Sequence, residues 1–581
     1  MQERSASLRA QLTTMLRATL RSDAGKAIIS VALGILGVVI VTSYGQIQLN
    51  RWNKPFYDAL SRRDLHDFLI QLGVFFIIAV LLLGLNVLQR WLVETLKLRL
   101  RDGLVHDLLN HWMQPRRAFW LANAGPMGVN PDQRMHEDAR KLCDLTADLG
   151  TGLLQATILF LTFAGVLWGM SVDFSFRFGG VDYAVPGFML WAAMVYAAIG
   201  SLLSYWVGGS LVDRNADRYA READLRFSLV RINEHLDGIS LAGGEEGERR
   251  RVELHFRSVL ASTAKLIAGL TNLTWITAGF GWVTTVAPIL VAVPLYFGGK
   301  ISFGGLMMAA AAFTQAQGSL RWFVDNFSVI ADWRATLLRV ASFRMALTST
   351  DVEHRFARQI DYINGDERRI NIDDLQVASV TGGDKLKETK VRVAPGERVL
   401  ILGAPGTEKT LLFRALAGLW PWGSGKVVRP AGEDVFYLPR GTPYLPRGTL
   451  REVLAYPAKV EKFESAQYSV ALGRVGLGRL VSKLDETQRW DVELSFDEQL
   501  PLAFARIVLQ RPPWILIDGT LGTLEDEALE TVLDVFDHEL ADAAIIHIGR
   551  ALLTRDTTRT RVLHLVKADA AESGVHRRPA L

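Results

Sequence analysis

Six long apolar runs between Ala27 and Phe327 most restrict the folds open to this chain. They extend approximately over Ala27–Gly45, Phe68–Trp91, Thr151–Met170, Val185–Val207, Leu270–Phe297 and Phe303–Phe327. Each is about as long as a helix needs to be to cross the hydrocarbon layer of a bilayer, which takes roughly 20 residues. Helices satisfy their own backbone hydrogen bonds in lipid. The runs therefore predict an α-helical membrane domain with six spans, and they account for the 49% hydrophobic composition of the 581 residues.

The distribution of basic residues predicts the orientation of these spans. Most of the Lys and Arg around them lie in two long polar segments, Glu94–Asp148 and Val212–Arg251. The positive-inside rule assigns such segments to the cytoplasm. The charged segment Met1–Lys26 is predicted to be an amphipathic elbow on the same side, without a cleavable signal peptide. Arg51–Asp64 then becomes a short outer connection, although its four basic residues oppose the rule.

After the last apolar run the pattern changes to short apolar strands that alternate with helices. This alternation is typical of an α/β domain. The predicted organisation is an elbow at 1–26, a membrane domain at 27–345, a linker at 346–368, an α/β domain at 369–567 and a disordered tail at 568–581.

The segment GAPGTEKT, Gly403–Thr410, indicates what the α/β domain binds. It follows a strand-like apolar run and precedes a helix-like one, which is the context of a phosphate-binding P-loop. Gly403 and Gly406 would let backbone N–H groups approach the phosphates, Lys409 would reach the β- and γ-phosphates, and Thr410 would hold Mg²⁺. The consensus has Gly directly before the Lys, however, and this chain has Glu408. A carboxylate there opposes phosphate binding and its Cβ obstructs close backbone approach.

Charge and cysteine content exclude little else. The net charge of +4 is too small to argue for nucleic-acid binding, and none is expected. The single cysteine, Cys143, cannot form a disulfide within the chain.

Several long segments resemble one transporter family. NPDQRMHEDAR (Asn130–Arg140), the charged segment Glu222–Arg251, Ala312–Phe343 and ALAGLWPWGSGKV after the P-loop are similar to ABC half-transporters of the SbmA/BacA-like and peroxisomal ABCD-like type. The resemblance covers nearly the whole chain. It implies an ABC exporter-type fold, with a fused permease and ATP-binding domain, that acts as a dimer.

The resemblance also implies motifs for ATP hydrolysis, and the chain departs from them. Arg440 stands near the position of a glutamine, and Asp497 replaces the glycine of the signature motif in LSFDE, Leu494–Glu498. WILID retains Asp518, which could hold Mg²⁺ through water. The catalytic glutamate position is Gly519 and the switch histidine position is Arg550. His547 could take the latter role in a shifted alignment, although a histidine on a buried strand is more often part of the core.

Together with Glu408 these departures predict a degenerate nucleotide-binding domain with no catalytic residue. Gly403, Gly406, Lys409, Thr410 and Asp518 would still allow weak or vestigial binding of ATP and Mg²⁺, with Thr410 and Asp518 at the metal. The alternative is that the P-loop survives only as a tight strand-to-helix turn. An intact partner chain would not restore function, because each ATP lies between the P-loop of one subunit and the signature motif of the other.

Transport without hydrolysis would need another source of energy. The resemblance implies that relatives lacking the nucleotide domain move peptides with protons. Glu94, Asp325 and Asp332 are the nearest acidic candidates, although Asp325 follows Arg321 by one helical turn and an ordinary ion pair is an alternative. Five aromatic residues could line a substrate cavity or anchor the helices at the membrane interface: Trp282, Trp322, Phe323, Phe327 and Trp333.

Three functions are compatible with these features. The first is a homodimeric transporter of peptides or another amphiphile in the bacterial inner membrane, with doubtful ATP hydrolysis. The second is an ordinary ATP-driven ABC transporter. The third is a sensor or scaffold that retained the fold but does not transport.

Overall fold

The computed structural model describes residues 12–17, 24–123, 131–171, 175–178, 181–348, 359–365, 369–379, 382–430, 434–549 and 560–568. The chain forms two compact units. The first comprises Met1–His111 and Asn130–Met345, and the second Trp112–Val129 and Ala346–Leu581. We call them the membrane unit and the nucleotide unit.

The membrane unit consists of long helices and one small hairpin. Its helices are α1 (Gly25–Arg62), α2 (Leu65–Trp112), α4 (Pro131–Met170, with a π-helical turn at Arg134–Asp138), α5 (Phe188–Gly208), α6 (Leu211–Glu234), α7 (Leu236–Leu241), α8 (Glu245–Phe297), α9 (Phe303–Asp325) and α10 (Phe327–Thr348). The antiparallel hairpin pairs β1 (Ser175–Phe178) with β2 (Val181–Ala184). The short helix α3 (Arg117–Asn123), between α2 and α4 in the chain, belongs to the nucleotide unit.

All six predicted spans fall largely on helices, and these helices differ in how apolar they are. In the described part of the chain, the four helices long and apolar enough to cross a membrane are α1, α2, α4 and α8. The other two predicted spans fall on α5, whose shorter apolar stretch is Phe188–Ser204, and on α9. The second half of α9 carries Gln315, Gln317, Arg321 and Asp325, which lower its hydropathy. The structure thus supports a helical membrane domain, and the count of six spans stays a prediction.

The segment predicted to be an outer connection, Arg51–Asp64, is mostly helical, and its position outside the membrane stays a prediction. Helix α1 continues through it to Arg62, and the chain turns at Arg63, which has φ of 58°. The helix is stabilised by an aromatic cluster. The ring centroid of Trp52 lies 4.5 Å from that of Phe56, on which it stacks, and 5.0 Å from that of Phe75 of α2. The polar residues of this segment up to Arg62 are therefore helical.

Helix α9 lies at the centre of the larger apolar cluster of the membrane unit. Ala309, Ala312 and Ala316 are fully buried along it. Small side chains let helix backbones approach closely in the membrane. Phe163 and Leu167 of α4 fill the adjoining space and are almost fully buried.

A ten-stranded sheet forms the core of the nucleotide unit. Its strands are β3 (Asp361–Asn364), β4 (Ile370–Ser379), β5 (Gly382–Leu386), β6 (Lys390–Val393), β7 (Arg398–Gly403), β8 (Gly423–Arg429), β9 (Val435–Leu438), β12 (Trp514–Asp518), β13 (Ala544–Ile548) and β14 (Thr560–Lys567). The order is β3-β8-β4-β5-β14-β7-β13-β12-β9, with β6 beside β4. Strands β14, β7, β13, β12 and β9 run parallel. Buried parallel strands are nearly continuous apolar runs, which explains VLIL, WILID and AIIHI.

Helices and a two-stranded antiparallel pair complete this unit. They are α11 (Lys409–Leu416), α12 (Leu450–Ala455), α13 (Ser465–Arg474), α14 (Trp490–Glu493), α15 (Phe496–Gln510), α16 (Asp526–Asp537) and the pair β10 (Gly448–Thr449) and β11 (Thr487–Gln488). The alternating α/β pattern predicted from Arg369 onward is thus seen in the described residues.

Helix α3 packs onto the nucleotide unit next to the P-loop helix. Trp120 donates its indole N–H to the Leu419 carbonyl at 2.9 Å. The Arg414 guanidinium of α11 lies 5.5 Å from the centre of the Phe119 ring. The segment between α2 and α4 in the chain therefore contacts the helix that begins at the P-loop lysine.

Candidate nucleotide site

The predicted P-loop connects β7 to α11 and contains two glycines, Gly403 and Gly406. Gly406 has φ of +81°, a conformation that disfavours any side chain. A Cβ on Gly403 would lie 2.3 Å from Cε of Lys409 and 2.7 Å from Oγ1 of Thr407. The Lys409 side chain therefore lies across Gly403. The structure places these three predicted residues in one loop at the carboxyl end of a parallel strand.

The backbone N–H of Glu408 is held by a carboxylate from another strand. Glu408 precedes the first residue of α11 with φ of −92° and ψ of 76°, which an ordinary residue can adopt. Its N–H donates to Oδ2 of Asp384 at 2.8 Å. Asp384 lies on β5, is only 3% exposed, and has Nζ of Lys567 at 3.1 Å from Oδ1. Sequence reasoning missed Asp384, because a single sequence carries no signal that links it to Glu408.

The two residues predicted to hold Mg²⁺, Thr410 and Asp518, lie next to each other. Asp518 ends β12, is 2% exposed, and interacts with the Thr410 side chain through a hydrogen bond. Its Oδ2 atom is buried without a hydrogen-bond partner in the described part of the protein. Burial raises the pKa of Asp518, and the Thr410 hydrogen bond and the nearby cations Arg440, Arg414 and Lys409 act in the opposite direction. A hydroxyl and a carboxylate with a buried, unsatisfied oxygen are suited to Mg²⁺.

The hydrolytic end has no carboxylate at the predicted catalytic position. Gly519 follows Asp518 with φ of +64°, so its backbone is left-handed. His547 is fully buried on β13, where it pairs with Ile517 of β12. A Cβ on Gly549 would lie 2.5 Å from Nε2 of His547, so the ring contacts the backbone there. This position is that of a core histidine. Arg550 lies outside the described residues.

The signature segment forms a capped helix start that carries negative charge. Ser495 caps α15, and Glu498 accepts a hydrogen bond from the Ser495 N–H at 3.1 Å. Asp497 is exposed in the first turn of this helix. An acidic residue is favourable at a helix N-terminus, but it repels the phosphate that a signature motif would contact. Arg440 is also exposed, and the preceding Pro439 accepts a hydrogen bond from Thr520 at 3.1 Å.

Arg506 is a buried residue of this region that the sequence analysis did not identify. It is 5% exposed on α15 and donates to the Val453 carbonyl at 2.7 Å and the Tyr444 carbonyl at 2.8 Å. Burial lowers its pKa to about 10. The arginine thus fixes the helix after the signature segment to the loop that follows Arg440.

The three acidic candidates in the membrane unit are all paired. Asp325 lies 3.2 Å from Arg321, and Asp332 lies 2.7 Å from Lys141. Glu94 contacts both Arg90 and Lys97, at 2.8 and 3.1 Å. Their side chains are between 44 and 53% exposed. These are the features of partly solvated ion pairs.

The five predicted aromatic residues do not meet in one cavity among the described residues. Trp282 and Phe323 are exposed, with 80 and 57% of their surface accessible. The indole of Trp322 lies against Gly152 of α4, where a Cβ would be 2.8 Å from Nε1. Trp333 donates to the Thr146 hydroxyl at 2.9 Å and lines an apolar cavity of about 380 Å³ between α1, α2, α4 and α10.

Comparison with known proteins gives matches to both units. Residues 16–297 match a family described as ABC transporter transmembrane region 2, and residues 386–521 match the ABC transporter family. The inner membrane ABC transporter ATP-binding protein YddA of Escherichia coli is 29% identical over 529 residues, which is 90% of each chain. ABC transporter D family member 2, chloroplastic, of Arabidopsis thaliana is 27% identical over 92% of this chain and 83% of its own.

A human relative and a solved structure agree with these matches. Human ATP-binding cassette sub-family D member 3 is 22% identical over 79% of this chain and 72% of its own. The structure of a bacterial Atm1-family ABC exporter with ATP bound superposes with a TM-score of 0.70 at 14% identity, covering 93% of this chain and 95% of that one. The exporter-type fold implied by the sequence is therefore confirmed.

Proposed function

We propose that this chain moves peptides or another amphiphile across the bacterial inner membrane without an ordinary ATP hydrolysis cycle. The premise is that it is a membrane ABC transporter subunit, with the transmembrane region and the ATP-binding domain in one polypeptide. The observation that carries this proposal is Gly519. It stands in left-handed conformation directly after the metal-binding Asp518, where an attacking water would need a carboxylate to orient it. The proposed driving force is a proton gradient.

The proposed assembly is a homodimer, in which ATP and Mg²⁺ are bound weakly at most. The phosphate loop and the signature segment of an ABC domain act on one nucleotide only when they come from different chains. In a homodimer, each nucleotide would therefore face Glu408 of one chain and Asp497 of the other. Both carboxylates oppose the binding of a polyphosphate.

The proposed topology has six spans with the N-terminus and the nucleotide unit in the cytoplasm. A cysteine at Lys300, in the exposed turn between α8 and α9, should react with a membrane-impermeant maleimide in intact cells. A cysteine at Gly244, before α8, should react only after the membrane is permeabilised. The native Cys143 is buried, so background labelling should be low. Reaction at Gly244 from outside, with Lys300 protected, would reverse the topology.

Uptake into proteoliposomes tests transport and its driving force together. A panel of labelled peptides and amphiphiles would be assayed with a pH gradient, without one, and with internal or external ATP. We expect accumulation that depends on the pH gradient and is unchanged in Lys409→Ala. Accumulation that depends on ATP and is lost in Lys409→Ala would establish the ordinary ATP-driven transporter. Failure of every substrate under all conditions would favour a sensor or scaffold.

The ATP-driven transporter is the second candidate because the metal end of the site is preserved. Asp518 retains a buried oxygen that lacks a hydrogen-bond partner, beside Thr410. The three acidic candidates for proton transfer, in contrast, are paired with basic side chains. The uptake experiment distinguishes a proton gradient from ATP as the driving force without relying on either set of residues.

A further inference from the structure

The P-loop contains an interaction that the sequence motifs do not predict. The N–H immediately before the P-loop lysine is one of the donors that a phosphate loop offers to nucleotide. In this protein that N–H, which belongs to Glu408, donates to Oδ2 of Asp384 at 2.8 Å. A carboxylate from the same chain therefore takes a donor that would otherwise be available to a phosphate.

Sheet register fixes this carboxylate in place. Asp384 of β5 pairs directly with Lys567 of β14. The Ala568 N–H donates to the Gly383 carbonyl at 2.9 Å, and the Ala404 N–H at the start of the loop donates to the Leu565 carbonyl at 3.0 Å. The loop, β14 and β5 are thus joined by backbone hydrogen bonds around Asp384. The sheet therefore fixes the backbone of Asp384, and its short side chain carries the carboxylate to the Glu408 N–H.

Lys567 offsets the energetic cost of burying the Asp384 carboxylate and also lies close to the P-loop. Its Nζ atom is 3.1 Å from Oδ1 of Asp384, and Asp384 is 3% exposed. An isolated buried charge is costly, whereas a paired one is tolerated. The Cε atom of Lys567 also lies 4.0 Å from the position that a Cβ on Gly406 would take. Lys567 is therefore a cation beside the P-loop that Asp384 neutralises.

We propose that Asp384 is a positioning residue that lowers the affinity of this P-loop for nucleoside triphosphates. It holds the Glu408 amide in a hydrogen bond and neutralises Lys567, so the loop has one donor and one cation fewer for phosphate. The inference rests on the proposed function only in taking the P-loop as the nucleotide site. It adds a second cause of weak binding, independent of the Glu408 side-chain charge.

The test is the affinity of the full-length protein in nanodiscs for a fluorescent ATP analogue, measured by anisotropy with and without Mg²⁺. Asp384→Ala should tighten binding about tenfold, because the Glu408 N–H and the Lys567 cation then become available to phosphate. Lys567→Met should weaken binding, since the carboxylate is then not neutralised. The double variant should bind more tightly than wild type but less tightly than Asp384→Ala.

Glu388→Ala is the matched control. Glu388 accepts a hydrogen bond from the His564 N–H of β14 at 3.0 Å and pairs with the His564 ring. It therefore resembles Asp384 in its partners, but it lies outside the P-loop contacts. This variant should leave nucleotide affinity unchanged, and Lys409→Ala should abolish the specific signal.

Asp384→Asn keeps the test valid if the alanine variant does not fold. Asparagine has a similar shape and can still accept the Glu408 hydrogen bond, so a smaller tightening is expected. Unchanged or weaker binding in the folded Asp384 variants would overturn the inference. Phosphate release is measured on the same samples. Turnover by wild type would contradict the proposed function and leave the order of affinities as a separate result.

Discussion

Purified wild-type protein, in detergent or in lipid, should release phosphate from ATP at a rate indistinguishable from background. A water-orienting carboxylate typically contributes about 10²- to 10⁴-fold to a rate, and Gly519 supplies none. Loss of the γ-phosphate contact from the signature segment costs roughly 3 kcal/mol more, by analogy with a lost oxyanion donor. Glu408 and Asp497 add repulsion of the same sign, although such effects need not be additive.

Restoring the glutamate alone should not restore hydrolysis. Gly519→Glu places a side chain at φ of +64°, where an ordinary residue is strained by about 1–2 kcal/mol. The carboxylates of Glu408 and Asp497 would also remain. Detectable turnover should require at least Glu408→Gly and Asp497→Gly in addition, and Asp384→Ala should further increase nucleotide affinity in that background. A malachite green assay of phosphate release compares wild type with these three variants.

The decisive control for this prediction is Lys409→Ala. The degenerate-domain interpretation would be contradicted if wild-type protein hydrolysed ATP at an ordinary transporter rate and Lys409→Ala abolished that hydrolysis. The activity would then belong to this site and not to a contaminating ATPase.

Asp138→Asn should destabilise the membrane unit more than any exposed charge substitution on the same helices. Asp138 is 5% exposed at the N-terminal end of α4 and forms a bidentate ion pair with Arg339 of α10, both distances being 2.9 Å. Removing one partner of a buried ion pair leaves the other uncompensated, which costs about 3–5 kcal/mol. Because 45% of the Arg339 side chain is exposed, water offsets part of this cost and we expect about 3 kcal/mol.

The chain provides a matched control for this substitution. Lys141 of α4 and Asp332 of α10 form an ion pair at 2.7 Å between the same two helices, but their side chains are 38 and 44% exposed. Asp332→Asn should cost about 0–1 kcal/mol, as exposed pairs do. Thermal unfolding in detergent, followed by tryptophan fluorescence, compares the two. Equal shifts in the midpoint would show that burial of Asp138 does not control the stability of this contact.

The elements predicted most reliably from sequence are those whose structure follows from a continuous stretch of the chain. Apolar runs such as Thr151–Met170 had to be helices, because lipid offers no partner for an open backbone. The α/β pattern around Lys409 and Asp518 required buried parallel strands with the site at their carboxyl ends. The helical conformation of most of Arg51–Asp64 was not predicted, because the aromatic contact that supports it comes from Phe75 of α2.

Sequence alone indicated a helical membrane protein with a P-loop domain, and it predicted from Glu408, Asp497 and Gly519 that ATP hydrolysis is impaired. Hydropathy and motif spacing are local properties of the sequence, and they can be identified without knowledge of the tertiary structure. Tertiary structure decided the contacts of Glu408 with Asp384, of Asp138 with Arg339 and of Arg506 with two carbonyl groups. Those partners come together only through sheet register and helix packing, because the physical interaction depends on distance in space and not on separation along the chain.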